Sequence, residues 1–191
     1  MRHWILAAVA ALMAVPAIAE MGDDGLHKQP WMRDTFKDLR EDLDEANAEG
    51  KRLVLFFEQR GCIYCAKMHE EVFSDQGISD YIAENYFVVQ MNLYGDVEVV
   101  DFDGDSRSEK DMARKWRVMF TPNIVFLPEE VPEGVNAMDA AVAVMPGAFG
   151  KGTTKDMFTW VAEKHYALEN GEDFQRYHAR MIQERSNGSF D

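Results

Sequence analysis

Cysteine is scarce: two residues in 191, at positions 62 and 65. So close a pair leaves no sulfur to staple distant parts of the chain, and a core drawn from 47% hydrophobic residues must hold the fold instead. The same scarcity excludes a zinc site made of cysteines alone, which needs a second pair. Basic residues are also few, 20 Lys and Arg against 34 Asp and Glu, for a net charge of −14. So acidic a chain repels nucleic acid and anionic lipid, and neither is expected as a partner. Beyond the first 15 residues no apolar run approaches the roughly 20 residues that span a bilayer. Internal repeats and domain-splitting linkers are missing too, and the length fits about one domain. The acidic run from Asp101 to Asp105 lacks the spacing of a calcium loop. Counted from Asp101, Gly104 stands fourth and Met112 twelfth, where an EF-hand needs Gly at six and Glu at twelve. A polar turn at Asp103-Gly104 is expected there.

What is present centres on residues 58–70. An apolar run, Leu53 to Phe57, leads into Cys62-Ile63-Tyr64-Cys65, and a helix-like run, Ala66 to Phe73, follows. A cysteine at the mouth of a helix meets unpaired N–H groups and the positive end of the macrodipole. Such a place lowers a thiol pKa from about 8.5 into the range of roughly 3.5–7.5. Cys62 is therefore the expected attacking thiolate, and Cys65, one turn on, the resolving partner. Thiolate attack on a disulfide is the whole reaction, so no cofactor is required. Two plainer readings compete. A structural bridge closing so short a loop adds little entropic stabilisation, and a metal site would have to recruit His69, four residues beyond Cys65.

The N-terminus predicts export. Met1-Arg2-His3 carries positive charge, Trp4 to Val15 is almost wholly apolar, Pro16 breaks the run, and small residues stand at Ala17 and Ala19. That is a secretory leader, with cleavage expected after Ala19. The working protein would then carry no membrane anchor, lie in an oxidising, periplasm-like compartment, and be a monomer of net charge −15 once Arg2 leaves.

Residues 20–32 read as a flexible lead, residues 33–185 as one folded domain, and residues 186–191 as a loose tail. Phe36, Leu39, Leu43 and Ala46 recur at helical spacing up to Gly50, with the charged residues between them on a solvated face. Tyr86 to Leu93 reads as a central strand, Val97 to Phe102 as a hairpin arm, the run to Leu127 as a strand starting immediately after Pro122, and Ala137 to Val144 as the next. Ser74, Asp75 or Ser79, then Ser106 or Ser108, and Thr153 or Thr154 are candidate N-caps. A last helix is expected over about Asp173 to Glu184. Helices alternating with short buried strands imply an α/β layer fold.

At this point the chain resembles a known family. An apolar strand entering Cys62-Ile63-Tyr64-Cys65, Thr121-Pro122 opening a later strand and Pro146-Gly147 closing another are similar to the thioredoxin superfamily, over roughly Lys51 to Tyr166. The preceding helix, the Gly50-Lys51 entry, the Gly-Cys-x-Tyr-Cys form and the leader look most like the periplasmic thioredoxins of the SoxW type. The resemblance implies a thioredoxin-like fold, a central mixed β-sheet flanked by helices, here with an extra N-terminal and an extra C-terminal helix. It implies an enzyme, a thiol–disulfide oxidoreductase, with Cys62 attacking and Cys65 resolving. Pro122 would be the cis-proline facing the dithiol, and Thr121, Pro122 and Tyr64 would contact substrate. The implied partners are protein thiols and disulfides, with electrons fed from a membrane dithiol carrier of the CcdA/DsbD type.

The sequence also departs from thioredoxin proper. A Trp before the first cysteine, Gly-Pro between the pair and a buried Asp six residues earlier are replaced by Gly61, Ile63-Tyr64 and Phe56. Glu58, at the strand end, is then the candidate proton acceptor for Cys65, acting through a water. Lys67 and Arg60 are candidate neighbours for a thiolate. The alternative function is a copper or zinc carrier using Cys62, Cys65 and His69, although Glu70-Glu71 beside His69 suggest an ordinary solvated helix histidine. His27, His165 and His178 look scattered. An oxidase of the folding pathway is the remaining alternative, and the potential set by Ile63-Tyr64 and its surroundings decides between oxidase and reductase.

Overall fold

Leu53 to Phe57 form a strand because both of its faces are needed. In the computed structural model, which describes residues 20–168 and 171–188, β4 (Arg52–Glu58) lies at the centre of a five-stranded sheet. Leu53, Leu55 and Phe57 point to one face, and Val54, Phe56 and Glu58 to the other. β5 (Tyr86–Asn92) runs parallel to β4, and β3 (Met32–Arg33) runs parallel to β5 at one edge. On the other side β8 (Asn123–Phe126) and then β9 (Ala143–Pro146) pair antiparallel. The order is β3-β5-β4-β8-β9, a mixed sheet. The predicted leader, residues 1–19, lies outside the described residues, as does the tail beyond residue 188. Among the described residues no helix is long and apolar enough to cross a membrane.

Helices cover both faces. α1 (Leu39–Ala48) buries Leu39, Leu43 and Ala46 against the first face, where α4 (Glu109–Lys115) adds Met112 and Ala113. α2 (Ile63–Glu71), α3 (Gln76–Asn85) and α6 (Lys151–Ala162) cover the second with Met68, Ile78, Ile82, Phe158 and Val161. α7 (Phe174–Ser186) packs on α6 through Tyr177. The expected α/β layering with terminal helices is present. Asp75 and Ser108 are the N-caps of α3 and α4.

Several expectations fail for local reasons. The supposed flexible lead is ordered. β1 (Glu20–Met21) and β2 (His27–Lys28) form a hairpin about Gly25, whose φ of +76° suits glycine, while Leu26 and Trp31 are buried and β3 extends the sheet. Phe36 does not join the helix face; Lys37 turns the chain at φ +58° and Asp38 caps the helix after it, leaving Phe36 94% exposed. The strand expected over Ala137 to Val144 begins as a short helix, α5 (Ala137–Ala140), capped by Asn136. Gly150, not Thr153 or Thr154, is the N-cap of α6, and Thr154 is buried within it.

The charged face of α1 also hides an exception. Asp42 is 3% exposed, its Oδ2 accepting from the Thr35 hydroxyl at 3.3 Å. Burial pushes its carboxyl up to about 6; the Thr35 bond opposes this, and the charges of Asp38, Glu45 and Glu41 add to it. Because the folded-state pKa lies above the unfolded one near 3.8, the native chain holds this proton more tightly. Stability is therefore greatest below about pH 4 for this group, falls as pH rises towards 6, and stays reduced above it. Asp42→Asn is expected to raise stability at pH 8 by about 1–2 kcal/mol while changing it little at pH 4. Urea unfolding at the two pH values measures the difference.

Candidate functional site

β4 delivers the chain to the site. Residues 59–61 turn it, with Gly61 at φ +71°, a left-handed conformation in which a Trp would be strained. Cys62 then becomes the N-cap of α2, and its Sγ accepts the Cys65 N–H at 3.0 Å. A Ser or Asp usually fills this place; a sulfur here receives the same stabilisation for negative charge. The two cysteines are joined, with Cα atoms 5.2 Å apart. Cys62 retains 6% exposure and Cys65 none, so the outer sulfur is the one a second molecule can reach.

Thr121 comes to the same sulfur from β8's approach. Its hydroxyl lies 3.2 Å from Cys62 Sγ, and the Thr121–Pro122 peptide bond is cis. Gly147 N–H donates to the Pro122 carbonyl at 2.8 Å, which fastens the two proline-containing segments together. Around them stands an apolar rim of Ile63, Tyr64, Met119 and Phe120, all more than half exposed. Nothing in the sequence singles out Met119 and Phe120 as rim residues. The strand starts at Asn123, immediately after Pro122 as expected, which leaves both side chains in solvent next to Thr121.

Glu58 ends β4 as expected, but His69 is not where the sequence suggests. Glu58 is fully buried, because it falls on the face of β4 that α2 covers. Its Oε1 accepts from His69 Nε2 at 2.9 Å, and its Oε2 accepts from the Gln90 amide. Both oxygens thus carry bonds from side chains other than the cysteines. His69, expected on a solvated helix surface, is 2% exposed: its own side of α2 faces the sheet while Glu70 and Glu71 face out. Its Nδ1 lies 3.0 Å from Gln29 Nε2. His69 therefore faces Glu58 and Gln29 and not the two sulfurs, so the supposed Cys62–Cys65–His69 metal set is not assembled among the described residues. Lys67 pairs with Glu71 at 3.9 Å, and Arg60 reaches the Asp24 carbonyl at 3.4 Å.

A helix capped by one cysteine of a joined pair, with a cis Thr-Pro turn on that sulfur, has the shape of a known domain. A family model described as a thioredoxin-like domain matches residues 39–136, more than half of the sequence. The chain belongs to the thioredoxin-like family. Among solved structures, this thioredoxin-like chain is similar to a thioredoxin-fold protein from Helicobacter pylori, at 18% identity and TM-score 0.56, covering 72% of this chain and 86% of that one. It is similar also to a thioredoxin from Thermus thermophilus, at 24% identity and TM-score 0.50, covering 66% and 85%. At these identities the likeness is one of fold. None of the curated proteins matches the chain by sequence. Fold and paired cysteines together support the class of thiol–disulfide oxidoreductases.

Proposed function

We propose that this thioredoxin-like protein is an exported reductant of protein disulfides. In its reduced form the Cys62 thiolate attacks one sulfur of a client disulfide and expels the other as a thiolate. Cys65 then attacks Cys62, breaks the mixed disulfide and releases the second client sulfur. Two electrons and two protons pass to the client, and the Cys62–Cys65 bond closes. The observation that carries this reading is the outer sulfur at the helix N-cap, 3.0 Å from an amide N–H, with its partner sealed beneath. The Thr121 hydroxyl supplies a further donor to the departing or attacking sulfur.

Clients would dock on the apolar rim of Ile63, Tyr64, Met119 and Phe120, with an extended segment pairing along the Thr121 backbone. Export rests on the charged, apolar and small-residue pattern of Met1 to Ala19. In that compartment the disulfide is re-reduced by a membrane dithiol carrier of the CcdA/DsbD type, and the Gly61-Cys62-x-Tyr64-Cys65 form, which resembles the SoxW type, supports this reading. Titration of the mature protein against glutathione or dithiothreitol buffers tests this together with insulin reduction. A reversible two-electron couple near or below roughly −200 mV is expected. A couple far above that makes the protein an oxidase, and no couple at all removes the function.

A further inference from the structure

We propose that His27, Glu58 and His69 bind one divalent transition-metal cation, zinc above all, beneath the redox helix and independently of the two cysteines. The three residues come from separate elements: β2 of the N-terminal hairpin, the end of β4, and the buried side of α2. Their donor atoms all lie within 4.8 Å of one another. Glu58 Oε1 is 2.9 Å from His69 Nε2 and 3.7 Å from His27 Nδ1. Donors on a tetrahedral zinc ion at about 2.0–2.1 Å stand roughly 3.3 Å apart, between those two distances. Two imidazoles and one carboxylate are a zinc donor set with a fourth position left for water. The set holds neither thiolate nor amide, so borderline metals suit it better than calcium or magnesium.

Charge favours the same occupant. Glu58 is fully buried, and no lysine or arginine is bonded to it among the described residues. The Lys28 ammonium, bonded to the same Gln90, is engaged by Asp24 Oδ2 at 2.9 Å and by Gln90 Oε1 at 2.5 Å. Burying a carboxylate away from water is costly, and a dication bound to it offsets that cost.

The surroundings supply an outer partner as well. Gln29 is 4% exposed, and its Oε1 has no hydrogen-bond partner among the described residues. Once His69 Nε2 binds a cation, its proton must sit on Nδ1. Turning the Gln29 amide end for end then gives that N–H the oxygen as acceptor, the arrangement that orients metal-bound histidines generally. The two imidazole rings are 4.8 Å apart and within 20° of parallel, so His27 must turn about its side-chain bonds to aim Nδ1 at the ion. At 17% side-chain exposure it is the most exposed of the three and the side from which a cation enters. The bound ion would tie the N-terminal hairpin to the sheet and to α2.

The test uses oxidised protein, chelator-stripped, with Cys62 and Cys65 closed as a disulfide so that neither sulfur can bind metal. Titration with Co²⁺ is expected to give d–d bands saturating at one equivalent without thiolate charge transfer, and Zn²⁺ is expected to displace the cobalt and raise Tm by several degrees. His27→Ala, on the outer hairpin, is expected to weaken binding at least 100-fold, and Gln29→Ala by about 10- to 100-fold. Circular dichroism of each variant checks folding, and His27→Ala keeps the test intact if Glu58→Gln does not fold. Three outcomes overturn the site: no saturable binding, binding that survives His27→Ala, or binding seen only after reduction and lost in Cys62→Ser. None of them bears on disulfide exchange, which the redox titration reads separately.

Discussion

Cys62→Ser is expected to bring insulin reduction down to the uncatalysed rate, whereas Cys65→Ser is expected to trap one client per protein molecule as a stable mixed disulfide. The asymmetry follows from where each sulfur sits. Cys62 Sγ has the Cys65 amide at 3.0 Å, the Thr121 hydroxyl at 3.2 Å and a 6% opening to solvent. A serine oxygen in that place has neither the acidity nor the nucleophilicity of a thiolate. Cys65 is fully buried, so it cannot meet a client; it meets only the sulfur of Cys62. Without it the first attack still proceeds and the second cannot, so the linked species accumulates. Mass spectrometry of the Cys65→Ser protein mixed with a disulfide-bonded client reads the adduct directly. Equal loss without an adduct in both variants would mean that the exposed and buried sulfurs do not divide the work this way.

Much of this site was legible in the letters, because the letters that matter are adjacent. Cys62 and Cys65 share one helix turn, and an apolar strand before them fixes which end of that helix they occupy. Thr121-Pro122 carried its signal through the family resemblance. The polar cluster behind the dithiol was illegible for the opposite reason. His27, Glu58 and His69 are 31 and 11 residues apart in sequence, and only the folding of the hairpin back against β4 and α2 assembles them. Local reading made His69 a surface residue, since its neighbours Glu70 and Glu71 are polar. Burial there was decided by which face of β4 and α2 meets the other, a tertiary fact. Asp42 was lost in the same way among the charges of α1, and Phe36 fitted a helical period that Asp38 ends before reaching it.

The largest stability loss among polar substitutions is expected at Asp101, inside the acidic run whose spacing rules out a calcium loop. The turn reading holds for Asp103 and Gly104, which close the hairpin of β6 (Glu98–Val100) and β7 (Ser106–Ser108). Asp101 itself is 2% exposed and fully used. Its Oδ1 accepts the N–H groups of Phe102 and Ala137, and its Oδ2 accepts Trp116 Nε1 and Lys115 Nζ, all at 2.8 Å. One carboxylate thus joins the hairpin, the end of α4 and the start of α5. Burial alone would lower the pKa of Lys115, but its bonds to Asp101, Asp103 and Asp105 outweigh that and hold it well above the usual lysine value, so the ammonium stays charged at any working pH. Asp101→Asn keeps the shape and turns an NH₂ group towards an indole N–H and an ammonium, donors against donors. Removing one partner of such a buried charged group costs about 3–5 kcal/mol, which for a chain of this length lowers Tm by about 6–20 °C. Asp103→Asn, which is partly exposed and leaves Lys115 its other carboxylates, is expected to cost under about 1 kcal/mol. The effect should also reach the rim of the redox site. Trp116 packs edge-on to Phe57 with ring centroids 6.0 Å apart, and the loop through Met119 and Phe120 to Thr121 begins two residues later. Below its Tm the Asp101→Asn protein is expected to keep its redox couple, because the Cys62 cap lies in α2, and to lose client affinity, because its rim has loosened. A comparison of redox potential with the KM for insulin in the two variants separates those effects.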